Sequence, residues 1–241
     1  MHAVWIIARK ELSSYFDSLI AYILLVLFLG FSGFFTWLFG SDIFLTGEAS
    51  LSTFFGVAFW TLFFFTPALT MRLLAEEKKS GTIELLLTKA ITDWQVVLGK
   101  FLSAFLLVLI ALAFTAPYVI TLSNIANIDV GEIFCGYAGL ALLSASYLSI
   151  GLFASSITNN QIVAFLLSLT IGLFFQVIFQ VLAGSFSGVV SNVLSDLSLS
   201  NHIESISRGV IDSRDLVYFG SIIFFGLFLS ELSLAKRNTN Q

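Results

Sequence analysis

Four long stretches without a single charged side chain constrain the fold of this sequence more than any other feature. They cover Ser18–Ser41, Ala49–Met71, Phe101–Ile128 and Ile133–Ser195. The hydrocarbon core of a bilayer is about 30 Å thick, so a spanning helix needs about 20 mainly apolar residues. Each of the first three stretches is long enough for one span, and the fourth is too long for a single helix. Only 11% of the residues are charged, against roughly 25% in soluble domains, so the sequence is that of a membrane protein.

The number of spans follows from where polar residues interrupt the apolar stretches. The polar hairpin SSITNNQ at 155–161 divides the fourth stretch in two, and Leu216–Ala235 is a sixth candidate. Barrel strands alternate apolar and polar residues, whereas LIAYILLVLFLGFSGFFTWLF is apolar on every side. The sequence therefore predicts an all-α membrane protein with six transmembrane helices. The predicted spans are 18–41, 50–74, 94–124, 132–156, 160–184 and 214–236.

Basic residues indicate which ends of these spans face the cytoplasm. With six spans, both termini and the segment between spans two and three lie on one side, together with nine of the 11 Lys and Arg residues. Only Arg208 and Arg214 lie on the other side. Because cytoplasmic loops carry the excess of Lys and Arg, both termini are predicted to be cytoplasmic. Lys100 is interpreted as marking the cytoplasmic boundary of the third span.

Two further segments are amphipathic. In residues 1–17, one helical face is apolar and the opposite face carries Arg9 and Lys10, which predicts an interfacial helix leading into the first span. The apolar face consists of Trp5, Ala8, Leu12, Tyr15 and Phe16. In the outer connection 185–213, valines and leucines recur at helical spacing, and Glu204 and Arg208 are four residues apart, as in a helix ion pair. Two short helices on the outer leaflet are expected there; the alternative is an ordinary surface loop.

The cytoplasmic segment 75–93 is longer than the two to eight residues that connect neighbouring helices. In RLLAEEKKSGTIELLL, Ser80-Gly81 is a helix stop, Thr82 can cap a new helix, and Glu84 lies in its first turn, where the helix dipole favours an acid. Ile83, Leu86 and Leu87 form an apolar stripe at helical spacing. The segment is either a solvated loop or a short helix that docks on lipid headgroups, on its own bundle or on a second protein.

These residues resemble a known family. RLLAEEKKSGTIELLLTKAITDWQVVLGK is similar to the loop between the second and third spans of type-two ABC transporter permeases, whose pattern is a basic residue, an acidic pair, Ser-Gly-Thr, an acid with leucines and a final Gly-Lys. IARKELSSYF and the outer HIESISRGVIDSRD also resemble this family, and most of all its gliding-motility-associated and copper-enzyme-maturation branch. The outer-motif residues are His202, Glu204, Arg208 and Gly209.

The resemblance implies the membrane half of an ATP-driven transporter in a bacterial inner membrane, with a lean toward export. Two permease chains would pair above two cytoplasmic ABC ATPase subunits, which bind ATP and magnesium; membrane lipids and an accessory protein on the outer face are further partners. The helix after Ser-Gly-Thr would be the coupling helix that sits in a groove of the ATPase. The residues that would form or orient this contact are Glu76, Glu77, Lys78, Ser80, Gly81, Thr82, Ile83, Glu84, Leu86 and Leu87.

The chain carries no motif for chemistry of its own. A phosphate cradle Gly-x-x-x-x-Gly-Lys-Ser/Thr, a zinc-binding His pair, a hydrolase elbow and a basic patch for nucleic acid are all missing from the sequence. Two other functions stay open. One is a membrane anchor or assembly factor without transport, and the other is an ion-coupled carrier. Carriers of this kind keep ionisable groups inside the membrane, and Glu231, near the cytoplasmic boundary, is the single candidate for such a group.

Polar residues within the predicted spans are few. Gln176 and Gln180 are four residues apart on one face of the fifth span, where they either line a translocation path or subunit seam, or form hydrogen bonds between helices. The fourth span is rich in Gly, Ala and Ser. Because small residues let helices approach closely, it is predicted to be a tightly packed inner helix.

Overall fold

The computed structural model describes residues 2–39, 51–82, 91–125, 128–207, 209 and 212–238. Within these ranges the chain is helical and contains no strand. Six helical segments are long and apolar enough to cross a membrane, which confirms the predicted all-α fold with six spans. These segments are Leu19–Trp37, Ser52–Ser80, Asp93–Ile125, Val130–Ile157, Gln161–Ser185 and Ser213–Lys236.

The helices are numbered here in chain order. The first half contains α1 (His2–Asp17), α2 (Leu19–Trp37), α3 (Ser52–Thr70), α4 (Ala75–Ser80), α5 (Asp93–Ala113) and α6 (Ala116–Ile125). The second half contains α7 (Val130–Ile157), α8 (Gln161–Leu173), a π-helical turn (Phe174–Ile178), α9 (Phe179–Ser185), α10 (Val189–Asp196), α11 (Leu199–Ser207) and α12 (Ser213–Asn238).

Helix α7 lies at the centre of the bundle. It packs against α3, α5, α8, α11 and α12, and 78% of the residues in its most apolar 18-residue stretch are buried. Its small residues explain this position, because helices can approach closely where a side chain is missing. A Cβ atom on Gly136 would collide with the Phe55 ring of α3, and one on Gly151 would collide with the Thr70 side chain. The prediction of a tightly packed fourth span agrees with this arrangement.

The first, fifth and sixth spans lie at the periphery. In their most apolar 18-residue stretches, only 28%, 22% and 22% of the residues are buried. The corresponding values for the second and third spans are 61% and 56%. Large apolar side chains such as Val26, Leu166 and Phe225 are exposed on their outer faces. In water such surfaces would aggregate, so these faces are suited to contact lipid tails or another membrane subunit.

The third span is interrupted, although the sequence predicts one continuous helix over 94–124. Helix α5 ends at Ala113, a turn follows at 114–115, and α6 begins at Ala116. Pro117 explains the break, because proline has no N–H to continue the helical ladder and is tolerated in the first turn of a new helix. The Thr115 hydroxyl then lies 2.8 Å from the Tyr137 hydroxyl of α7, which fixes the turn against the core.

The outer connection forms two short helices. Helix α10 folds back along α9, with the Ser191 hydroxyl donating to the Ala183 carbonyl at 2.8 Å, and α11 packs on α7. The apolar face of α10 is exposed at Val189, Val190 and Val193. The contact of this face with the outer leaflet stays a prediction.

Candidate functional site

The candidate site lies where the second span leaves the bundle and the predicted coupling segment begins. The structure describes Glu76, Glu77, Lys78, Ser80, Gly81 and Thr82. Ile83, Glu84, Leu86 and Leu87 fall in 83–90, outside the described residues, and so does the docking role predicted for them.

The Ser-Gly-Thr sequence ends α4. Gly81 has φ of 71°, a left-handed conformation that residues with a side chain rarely adopt. Its N–H donates to the Lys78 carbonyl at 3.4 Å. The Ser80 hydroxyl donates to the Glu76 carbonyl at 2.9 Å and lies 2.9 Å from the Thr82 hydroxyl. The predicted helix stop is therefore present.

The chain turns through 71–74 before α4, and one hydroxyl group of α7 holds this turn. Ser155 Oγ accepts hydrogen bonds from the N–H groups of Leu74 and Ala75 at 3.1 and 3.0 Å, and donates to the Met71 carbonyl at 3.2 Å. All three backbone groups belong to the break between α3 and α4. Buried backbone groups need hydrogen-bond partners. Ser155 supplies the partners that the interrupted helix lacks at this turn.

The two members of the acidic pair have different environments. Glu76 is exposed, whereas Glu77 turns inward and its Oε1 lies 2.7 Å from Nζ of Lys100. Glu11 of α1 lies 3.2 Å from the same Nζ. The Lys100 side chain is only 1% exposed. The position of Lys100 at the cytoplasmic boundary stays a prediction. The structure adds that its ammonium group is buried between two carboxylates, since a buried charge is tolerated only when it is paired.

Helix α1 is held close to this site. A Cβ on Gly99 would lie 2.7 Å from Ile7, so the missing side chain allows α1 and α5 to touch. The Tyr15 hydroxyl donates to the Leu69 carbonyl of α3 at 2.9 Å, and burial raises the pKa of the Tyr15 phenol, which keeps it a donor. Trp5, predicted on the same apolar face as Ala8 and Tyr15, is 55% exposed, while the other two are buried.

The end of α7 provides a second attachment for α4. The Lys78 ammonium donates to the Ser156 carbonyl, and the same carbonyl accepts the Ser233 hydroxyl of α12 at 2.8 Å. Together with Ser155 and Lys100, this contact ties the short helix α4 to α1, α5, α7 and α12. The start of the predicted coupling segment is therefore firmly joined to the bundle.

The outer motif forms a separate cluster. His202 Nδ1 lies 2.6 Å from Oδ1 of Asp215 and its Nε2 lies 2.9 Å from the Asp196 carbonyl, while the ring stacks on Tyr218 at 3.9 Å. The ring is thus held between the Asp215 carboxyl group and the Asp196 carbonyl. The cluster joins α10 and α11 to the start of α12. In the described part of the chain no three His, Cys, Asp or Glu side chains are grouped to hold a metal ion.

The structure describes two of the three other outer-motif residues. Glu204 borders a cavity of about 270 Å³ between α3, α7 and α11, which is lined mainly by apolar groups such as Phe55 and Ile203. Gly209 has φ of 85° and its N–H donates to the Ile206 carbonyl at 3.0 Å, so it ends α11. Arg208 and its predicted pairing with Glu204 lie outside the described residues.

The two glutamines of the fifth span differ in their surroundings. Gln176 is buried in the π-helical turn, where its side chain accepts the Tyr147 hydroxyl of α7 and its carbonyl accepts the Ser200 hydroxyl of α11 at 2.6 Å. Gln180, one turn further along, is exposed. Gln176 thus forms the interhelical hydrogen bonds considered as one alternative, and a role of Gln180 at a subunit seam stays a prediction.

Several residues of these clusters carry no signal in the sequence. Glu11, Lys100, Ser155 and Asp215 lie 13 to 89 positions from their partners, and no helical or strand period connects such distances. Gly99 and Lys100 had a partial signal, because they form the Gly-Lys that ends the family pattern. The pattern does not indicate what these two residues do.

Comparison with known proteins gives one family. The family model described as ABC-2 family transporter protein matches residues 5–208, which is most of the chain. A search of curated protein sequences gives no match. The match spans the first five membrane helices and the outer helices, and the structure adds the sixth. The chain therefore belongs to the ABC-2 transporter family and is a multi-pass membrane permease component of an ABC transporter.

Proposed function

We propose that this chain is the permease half of an ATP-driven exporter and that the segment after α4 transmits the movement of a separate ATPase to the bundle. Membership of the family implies a partnership with an ABC ATPase subunit. Export, the pairing of two permease chains and the gliding-motility or copper-enzyme-maturation branch rest on the resemblance of the loop and outer motifs. The nine-to-two distribution of basic residues supports cytoplasmic termini and hence a cytoplasmic coupling segment.

The attachment of α4 carries this proposal. A segment that transmits force has to be fixed to what it moves, because a flexible connector would absorb the displacement. Helix α4 is joined to α7 through Ser155, to the end of α7 through Lys78, and to α5 through the pair of Glu77 with Lys100. Lys100 in turn pairs with Glu11 of α1. A displacement applied just beyond Gly81 would therefore reach the central helix directly.

The proposed mechanism requires that the helix bundle has two conformations. Closure of an ATPase pair on ATP changes the distance between the two coupling segments, and a ligand shifts a conformational equilibrium only when it interacts differently with the two states. The rigid attachment of α4 passes that difference to α7, around which the other spans pack. The path would then open between spans to a lipophilic or amphipathic substrate, in keeping with the apolar walls of the outer cavity.

Association with the ATPase tests the proposed docking site. In a tagged chain, Gly81→Pro and Glu84→Lys are expected to reduce the amount of co-purified ATPase severalfold, while the thermal unfolding temperature of the permease stays close to that of the unmodified chain. Glu204→Lys, the same charge reversal on the outer side, should leave association unchanged. Full association of both cytoplasmic variants would contradict the assignment.

Reconstitution distinguishes the proposal from the two open alternatives. In liposomes, ATP hydrolysis by the bound ATPase should change when the permease chain is present, and no such change is expected of a passive anchor. An ion-coupled carrier would transport without any ATPase and would lose activity on Glu231→Gln. Transport that persists without nucleotide would overturn the proposed function.

A further inference from the structure

One ion pair joins the start of the predicted coupling segment to the third span. Glu77 lies near the start of the segment and Lys100 lies beyond its end, 23 positions after Glu77, yet Oε1 of Glu77 lies 2.7 Å from Nζ of Lys100. The pair therefore ties α4 to α5 at the base of the loop between them. These two helices cannot separate at this point without breaking the pair.

The ion pair is placed where it contributes little to stability. Lys100 is 1% exposed, and the side chains of Glu77 and Glu11 are 19% and 21% exposed. Removing charges from water costs free energy that their attraction often fails to offset. Moreover, two carboxylates face one ammonium group, and Oε2 of Glu77 has no hydrogen-bond partner among the described residues. An apolar contact would hold these helices together at lower cost, so the charges point to a role in fixing geometry.

The third member of this cluster extends the connection to α1. Glu11 reaches Lys100 only because α1 lies against α5 at Gly99, where a side chain would collide with Ile7. Gly99 and Lys100 are adjacent and form the Gly-Lys of the loop pattern. The glycine brings α1 into contact, and the lysine joins it to the base of the loop.

We propose that Lys100 is a positioning residue that makes α4, α1 and α5 move as a unit when the ATPase closes. This inference rests on the proposed function and names the group that links the loop to the N-terminal helix. Lys100 acts through Glu77 and Glu11, and it contacts neither nucleotide nor substrate. Without it, the ATPase would still bind the loop, but α1 would lose its link to α4 and would follow the movement less closely.

A purely structural role predicts a different outcome. If the cluster only stabilised the fold, Glu77→Gln would lower the unfolding temperature and any functional loss would follow from it. The variant leaves Lys100 paired one-to-one with Glu11 and removes the excess carboxylate, so we expect folding to be kept. What it weakens is the charge-assisted bond that closes the loop, since such bonds are about twice as strong as neutral ones.

The experiment uses the complex of the full chain with its ATPase subunit. A dye sensitive to its surroundings is attached in Ser14→Cys on the exposed face of α1, in a Cys135→Ala background, since Cys135 is the chain's one cysteine. The change in its emission on adding a non-hydrolysable ATP analogue reports the movement of α1. The variants are Lys100→Met, Glu77→Gln and the charge-conserving Lys100→Arg. Lys10→Met is the matched control, because it removes an exposed cation next to Glu11 that forms no ion pair within 4.0 Å of the described residues.

The emission change is expected to fall about tenfold in Lys100→Met, which removes both charge-assisted bonds of the cluster, and about threefold in Glu77→Gln, which weakens one of them. It should be kept in Lys10→Met and restored in Lys100→Arg, with the amount of bound ATPase equal in all four. An unchanged response in Glu77→Gln and Lys100→Met, or an equal loss in Lys10→Met, would overturn the inference. If Lys100→Met does not fold, the response of Glu77→Gln alone tests the inference. If the unmodified chain binds no ATPase, the proposed function itself fails, and the inference fails with it.

Discussion

At position 151 the absence of a side chain determines how closely three helices approach. Gly151 of α7 faces Thr70 of α3 and Ser168 of α8, and the side chains of both are almost completely buried. Protein interiors are close-packed, so an added methyl group has to displace its neighbours. Several glycines of this kind along α7 explain why this helix, whose side chains are small on average, lies at the centre of the bundle.

Gly151→Ala should destabilise the chain by about 1–3 kcal/mol, the usual cost of overpacking. The added Cβ would lie against the Thr70 side chain and 3.1 Å from the Ser168 hydroxyl. Gly220→Ala in α12 is the matched control, since no atom lies within 4 Å of its Cβ, and it should be neutral or gain up to about 1 kcal/mol of helix propensity. Thermal unfolding in detergent measures both, and equal unfolding temperatures would contradict this account.

The outer cluster gives a second prediction at this scale. His202→Phe keeps a ring on Tyr218 but leaves Oδ1 of the buried Asp215 without its hydrogen-bond partner, which should cost about 1–3 kcal/mol. Adding Asp215→Asn removes the stranded carboxyl group and should recover a large part of that loss. Unfolding temperatures of the two variants are the measurement. If the double variant is as unstable as the single one, the contact between His202 and Asp215 is not the cause.

At the scale of elements, the helices begin and end where the backbone requires it. The apolar runs predicted six spans, and the helix in the fourth one is Val130–Ile157, where the sequence predicts 132–156. The break at 114–115 was not predicted, although Pro117 signals it, because an unbroken apolar run of that length suits one helix equally well. The π-helical turn at Phe174–Ile178 was also unexpected, since its hydrogen bonding depends on neighbours such as Tyr147 and Ser200.

Ser155 is expected to be the residue on which the junction between α3 and α4 depends. In Ser155→Ala the N–H groups of Leu74 and Ala75 lose their acceptor, which costs about 1–3 kcal/mol for a buried donor left unsatisfied. Amide hydrogen exchange of the 71–80 segment should become faster. Ser156→Ala is the matched control, because that buried hydroxyl donates only to Phe153 in its own helix at 2.7 Å. Equal exchange in both variants would argue against this role.

At the scale of the whole molecule, the chain combines a buried centre with exposed apolar spans. The fourth span is covered by its neighbours, and the first, fifth and sixth are largely open. This asymmetry is suited to a protein that is completed by lipid or by a second chain.

Orientation in the membrane can be tested with the same cysteine background. In a Cys135→Ala chain, Ser14→Cys on α1 should react with an impermeant thiol reagent only from the cytoplasmic side, and Ser187→Cys before α10 only from outside. The reason is the nine-to-two distribution of Lys and Arg. Labelling of right-side-out and inverted vesicles is the measurement. The reverse pattern would show that the termini lie outside.

The sequence by itself determined the class of protein, the number of spans and the motifs that indicate the family. Those properties are local, since an apolar run long enough to cross a bilayer and a short charged motif can be recognised wherever they occur. Only the tertiary structure decided that Glu11, Glu77 and Lys100 form one buried cluster, that Ser155 holds the turn before α4, and that His202 meets Asp215. These contacts join residues distant in the chain, and their existence depends on which helices pack together and how closely their glycines let them approach.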